Sequence, residues 1–214
     1  MISRVPPSDR LTSTRVIAVL RAPHVSALAP VCDVLVEEGL LSLELTLTTQ
    51  GLLDSLPGLV DRFAGTADVG VGTVLDTNQA SKAIDSGAQF LVTPTMNLPV
   101  VDLAATNKVA VFPGGLTPTE LAAGWQAGAT AVKIFPAQTV GTGYLKHLRG
   151  PFPDIQVVPS GGVDLDAARE WLAAGALAVS IGGPLVGDAV SGGDPRELRR
   201  RCREVLAVTA LARP

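Results

Sequence analysis

Eight short runs of β-branched and other apolar residues recur along the chain, each followed by an amphipathic stretch. That alternation narrows the possible folds more than any other feature. The runs lie at about 16–20, 42–47, 69–74, 90–93, 110–112, 131–135, 156–159 and 178–181. Helical spacing fills 26–38, 51–63, 77–86, 99–106, 118–127, 143–148 and 165–174, with a last segment at 195–211. Thr117-Pro118-Thr119-Glu120 and Asp76-Thr77-Asn78 read as helix N-caps, and Gly39, Gly87, Gly128 and Gly175 sit where helices should stop. Eight strand–helix units predict an α/β chain folded as a single (β/α)8 TIM barrel over residues 15–214, with residues 1–14 as a leader or capping segment. A doubly wound open sheet alternates in the same way. It calls for a Gly-rich turn after the first strand, whereas here the Gly-rich turns follow strands seven and eight, where barrels often bind phosphate. At 214 residues and 47% hydrophobic, the chain can bury one large core.

Several function classes fall away on simple grounds. A net charge of −3 argues against a nucleic-acid or anionic-membrane partner. No stretch reaches the roughly 18 unbroken apolar residues of a membrane span, and the N-terminus has no apolar core of a secretory signal. The expectation is a cytoplasmic protein. Cys32 and Cys202 lie far apart without CxxC spacing, and Cys32 reads as core filler in a helix. His24 and His147 form no HxH or HExxH pattern, so a histidine-bound metal is not called for, and no GxSxG elbow is present.

What remains is a set of polar residues on the inner faces of strands. Side chains alternate along a strand. In Leu43-Glu44-Leu45-Thr46-Leu47-Thr48 the leucines suit the helix layer, so Glu44, Thr46 and Thr48 point into the barrel. In Ala131-Val132-Lys133-Ile134-Phe135, Val132 and Ile134 suit the helix layer, so Lys133 points inward too. Strands two and six face each other across a barrel, and the two side chains converge. An amine among apolar neighbours loses the hydration that favours its charge and becomes a nucleophile toward carbonyls. A buried Lys–Glu pair is either an inert ion pair or a nucleophile with its general acid/base, and a strand-end lysine whose stem packs is a further plain alternative. Polar groups near C-terminal strand ends of a barrel usually form its active site, which favours catalysis. Thr73, sharing a face with Val69 and Val71, offers a hydroxyl; Arg21, alternating with Ile17 and Val19, offers a bidentate donor for carboxylate or phosphate. The turns Ser160-Gly161-Gly162 and Gly182-Gly183-Pro184 present bare backbone N–H groups suited to phosphate, although glycine also simply makes tight turns and Pro184 has no N–H.

Taken together, these stretches resemble the bacterial class I aldolases that cleave 2-keto-3-deoxy-6-phosphogluconate (KDPG) and 4-hydroxy-2-oxoglutarate (KHG). The resemblance rests on Val16-Ile17-Ala18-Val19-Leu20-Arg21, Leu43-Glu44-Leu45-Thr46, Gly70-Val71-Gly72-Thr73-Val74 and Val132-Lys133-Ile134-Phe135-Pro136-Ala137. Gly150-Pro151-Phe152-Pro153 and Pro159-Ser160-Gly161-Gly162-Val163 extend it. It implies that Lys133 forms the Schiff base and that Glu44 is the general acid/base. It also implies substrate contacts from Arg21, Thr48, Thr73, Pro94, Phe135 and Ser160, and a phosphate site at Gly161, Gly162, Gly182 and Gly183. A homotrimer acting on a small 2-keto-4-hydroxy acid without a cofactor follows from the same resemblance. Two positions depart from some members: Thr48 stands where an arginine helps bind substrate, and Pro184 where a serine follows Ile-Gly-Gly. Both bear on the choice between phosphorylated sugar acid and KHG. The open alternatives are a phosphosugar isomerase or epimerase on the same barrel, using Glu44 as base without a covalent lysine, and a non-catalytic sugar-phosphate-binding protein.

Overall fold

Parallel strands form because each apolar run is followed by a helix long enough to carry the chain back to the starting edge. The computed structural model describes residues 4–211. Its strands are β1 (Val16–Leu20), β2 (Ser42–Thr46), β3 (Asp68–Gly72), β4 (Phe90–Val92), β5 (Ala110–Phe112), β6 (Gly114–Gly115), β7 (Val132–Ile134), β8 (Val157–Pro159) and β9 (Val179–Ile181). The helices are α1 (Asp9–Thr14), α2 (Leu28–Glu37), α3 (Leu52–Arg62), α4 (Thr77–Asp85), α5 (Leu98–Thr106), α6 (Pro118–Gln126), α7 (Gly143–Arg149), α8 (Leu165–Ala173), α9 (Gly183–Val186) and α10 (Pro195–Leu211).

The strands make two hydrogen-bonded sheets rather than the one continuous eight-strand ring expected. One runs β5-β4-β3-β2-β1-β9 and the other β6-β7-β8. The expected fifth strand is present as β5, and beyond Pro113, which has no N–H for a ladder, a short further strand, β6, pairs with β7 instead; the Pro113 carbonyl accepts from Lys133 N at 2.8 Å. Between β8 and β9 the contact thins to a bridge between Ser160 and Ser180 and a bond from Leu177 N to Val157 O of 3.0 Å. The architecture is a parallel, TIM-like α/β fold. The glycine stops behave as expected: Gly39, Gly87, Gly128 and Gly175 all take positive φ just past their helices, and Thr117 with Glu120 forms a full capping box.

Helix stripes and outward strand residues make the larger core. Leu28, Val31, Cys32 and Leu35 lie on one face of α2 and are buried with Leu43 and Leu45 of β2. Cys202 is likewise buried on α10, and burial pushes both thiols up to about 12. No helix among the described residues is long and apolar enough to cross a membrane.

A second apolar cluster fills the space enclosed by the strands: Ile17, Phe90, Val92, Phe112, Ala131, Val158 and Ala178. Phe90 and Phe112 meet edge to face, with centroids 5.8 Å apart. Leu11 joins this cluster from α1, so this part of the segment read as a leader or cap packs at the N-terminal end of the strands. Ser8 caps α1, and Ser8 and Arg10 both hydrogen-bond the buried Asp68 carboxylate. With that end plugged, the open end is the one where β2, β7 and β8 finish.

Candidate active site

On β2, Leu43 and Leu45 belong to the helix-side core, which turns Glu44 and Thr46 inward. On β7, Val132 and Ile134 do the same for Lys133. Lys133 is flanked in register by Gly114 of β6 and Val158 of β8. Both charged side chains are deeply buried, with 2% of Glu44 and 7% of Lys133 exposed. They line one cavity of about 250 Å³ at the C-terminal ends of the strands.

Burial pushes the Glu44 carboxyl well up, and the positive charges of Lys133 and Arg21 offset that only in part. One carboxylate oxygen, Oε2, has no hydrogen-bond partner. Buried polar groups are nearly always paired, so a buried carboxylate with an unpaired oxygen, on a residue that lines the cavity, is suited to take or give a proton. The Lys133 amine lies 5.0 Å from the centroid of the Phe135 ring, itself 38% exposed at the cavity mouth.

The cavity wall contains Arg21, Thr73, Pro94, Phe135, Ser160, Gly161, Gly162, Gly182 and Gly183 as well as the two charged residues. Thr48 is outside it. Strand β2 ends at Thr46, and the turn that follows leaves Thr48 exposed, with its hydroxyl 3.0 Å from that of Thr46. Thr46, also expected inward, does line the cavity.

Strand β3 has the opposite parity from the one its valines suggested. Val69 and Val71 pack in the helix-side core, so the inward positions are Gly70 and Gly72. A Cβ at Gly70 would lie 2.3 Å from the Phe90 ring, and one at Gly72 would lie 2.0 Å from Glu44 Oε1. By alternation Thr73 should face the helices. Its φ of +60°, rare for a β-branched residue, turns it into the cavity instead. The glycine turn after β8 is equally constrained, since Gly161 and Gly162 have φ of +85° and +74° and a Cβ on Gly162 would meet Gln138 at 2.1 Å.

Val19, Val163, Ser180 and Pro184 also line the cavity. Of these, Ser180 was readable: it is the one polar residue in Val179-Ser180-Ile181, and its hydroxyl accepts from that of Ser160 at 3.3 Å. Among the described residues no group of three or more His, Cys, Asp or Glu side chains is placed to hold a metal ion. His24 caps a single 3-10 turn and His147 is exposed on α7.

The chain is similar to known proteins over most of its length. Residues 8–199 match the family model described as KDPG and KHG aldolase. The KHG/KDPG aldolase of Escherichia coli is 30% identical over 198 residues, covering 92% of each chain. A probable 2-dehydro-3-deoxy-6-phosphogalactonate aldolase of Rhizobium meliloti is 31% identical over 194 residues and 90% of each chain. Among solved structures, KDPG aldolase from Legionella pneumophila, with pyruvate captured at low pH as a covalent carbinolamine, superposes with a TM-score of 0.82 at 25% identity. That match covers 93% of this chain and 96% of that one.

Proposed function

The chain belongs to the KDPG and KHG aldolase family and is a class I aldolase, a carbon–carbon lyase; we propose that Lys133 is its Schiff-base nucleophile and Glu44 its general acid and base. The observation that carries this reading is that Glu44 and Lys133, both deeply buried, line one cavity, and that a Glu44 oxygen has no hydrogen-bond partner.

The reaction follows from those two groups. The Lys133 amine attacks the C2 ketone of a 2-keto-4-hydroxy acid and gives a carbinolamine. Loss of water leaves a protonated imine. Glu44 as carboxylate removes the C4 hydroxyl proton, the C3–C4 electron pair flows toward the imine nitrogen, and an aldehyde leaves. The remaining enamine takes a proton at C3 from the Glu44 carboxylic acid, and water releases pyruvate from Lys133. A carboxyl whose burial favours its neutral form is suited to hold the proton between these steps. Thr73 supplies a hydroxyl and Arg21 a positive charge for the substrate carboxylate, and Phe135 covers the imine.

The distal end of the substrate reaches the turns at Gly161, Gly162, Gly182 and Gly183, beside Ser160 and Pro94. Pro184 offers no N–H there, which weakens the hold on a phosphate. KDPG, KHG and the galactonate epimer named for the relatives in Escherichia coli and Rhizobium meliloti are the substrates to compare. We read the two sheets as one (β/α)8 barrel over residues 15–214 with a capping segment before it. The same reading makes the protein a cytoplasmic homotrimer that needs no cofactor, and light scattering on the eluting protein checks the oligomer.

Pyruvate release from each substrate, coupled to a dehydrogenase, tests the activity. Turnover of at least one, abolished by Lys133→Arg and insensitive to chelator, is expected. Activity that survives Lys133→Arg would point to an isomerase-like use of Glu44, and substrate binding without pyruvate release to a ligand-binding protein.

A further inference from the structure

We propose that Gly72 is a positioning residue: its missing side chain holds the Glu44 carboxylate against β3, apart from Lys133, so that the two act as base and nucleophile instead of neutralising each other. The proposal rests on the reading of Lys133 and Glu44 given above.

An amine and a carboxylate buried in one small cavity attract strongly, and an ion pair between them would keep the amine protonated and unreactive. Among the described residues no ion pair within 4.0 Å joins them. The reason lies on β3. Gly72 sits beside Thr46 in the parallel register, one inward position beyond Gly70, which pairs with Glu44. A Cβ at Gly72 would stand 2.0 Å from Glu44 Oε1 and 2.6 Å from both Cδ and Cγ. The Glu44 side chain therefore occupies the volume a residue at 72 would need. On its other flank Glu44 faces Val19 of β1. A carboxylate driven off β3 moves toward the cavity that Lys133 also lines. The charged side chains lining that cavity are Glu44 from β2, Lys133 from β7 and Arg21 after β1.

Gly70 gives a useful contrast. A Cβ there would collide with the Phe90 ring in the packed apolar layer, which is a demand of the fold. At Gly72 the colliding atoms are Oε1, Cδ and Cγ of the Glu44 side chain, with no backbone or ring atom among them, and that side chain lines the cavity. Gly72→Ala should therefore fold and alter chemistry.

The test is the rate at which borohydride traps pyruvate on the protein, measured across pH for wild type, Gly72→Ala, Glu44→Gln and the double variant. An opposite charge brought within about 4–6 Å favours the charged amine by roughly 1–3 pH units. In Gly72→Ala the rise in trapping rate should move to higher pH by at least about one unit, slowing trapping roughly tenfold on the rising limb. Adding Gly72→Ala to Glu44→Gln should leave the profile where Glu44→Gln alone puts it, because no negative charge is displaced. An unmoved profile in Gly72→Ala, or a shift that persists with Glu44→Gln, overturns the proposal. If Gly72→Ala does not fold, Gly72→Ala with Glu44→Ala decides: a folded double variant assigns the room to Glu44, and an unfolded one overturns the assignment. Wild type forming no adduct at all would overturn the underlying nucleophile reading, which separates the two failures.

Discussion

Replacing Glu44 with glutamine should make the protein more stable while disabling it. The Glu44 carboxyl is buried and its pKa is raised, with desolvation as the larger influence and the attraction of Lys133 and Arg21 opposing it. Those attractions are already included in the net direction, so removing the charge does not add a further cost for leaving the two cations behind. A carboxyl with a raised folded pKa destabilises the fold when ionised. The cost is absent below the ordinary carboxyl range, grows as pH rises through the folded pKa, and is complete above it. Each pKa unit corresponds to about 1.4 kcal/mol, and single relieved strains of this kind commonly return about 0.5–2 kcal/mol. For a chain of this size that is a Tm increase of about 2–4 °C per kcal/mol. Calorimetry of both proteins from pH 4 to pH 8 should show the variant ahead at pH 8 and the gap closing toward pH 4. The same variant should lose about 10²- to 10⁴-fold in cleavage rate. A Glu44→Gln protein less stable than wild type at pH 8, or one whose advantage ignores pH, would refute the reasoning.

Three further outcomes follow from named contacts. Leu11→Ala should cost about 2–5 kcal/mol by opening a cavity beneath the inner cluster, seen as a lowered Tm with kcat unchanged; an unchanged Tm would mean that α1 does not plug the strands. Thr73→Gly relieves a left-handed β-branched residue worth about 1–2 kcal/mol, against about 0.5–1 kcal/mol of added chain freedom. Its Tm should therefore hold while KM rises, and an unaltered KM would remove Thr73 from the site. Glu38 is held at about 2 by hydrogen bonds from Arg203 and Arg199 of α10. That depressed acid stabilises above the ordinary carboxyl value and loses its contribution as pH falls through about 2. Glu38→Gln should thus lower Tm near neutral pH, by less in high salt, with the gap narrowing below pH 4.5.

Much of this was legible in the chain, and the misses share physical causes. On β2 and β7 leucines, valine and isoleucine mark the helix side, so Glu44 and Lys133 stand out as polar residues facing inward. On β3 the inward residues are Gly70 and Gly72, which carry no side chain and leave no hydropathy signal; the alternating Val69 and Val71 looked like the inner face and were the outer. Thr73 reached the cavity by a positive φ that alternation does not encode. Thr48 missed it because the strand ends two residues earlier. The helix α1 is too short to show helical periodicity, and only its Ser8 cap and the burial of Leu11 reveal its task. The two-residue strand β6 after Pro113 was not legible, because Gly114 and Gly115 carry no hydropathy signal and their pairing with β7 is a tertiary contact.

The most direct measurement is borohydride reduction in the presence of pyruvate, followed by peptide mass mapping. A reduced pyruvyl adduct is predicted on the peptide carrying Lys133, absent when Lys133→Arg is treated in the same way. An adduct on Lys82, Lys108 or Lys146 instead, or pyruvate release with no adduct on any lysine, would contradict Lys133 as the nucleophile.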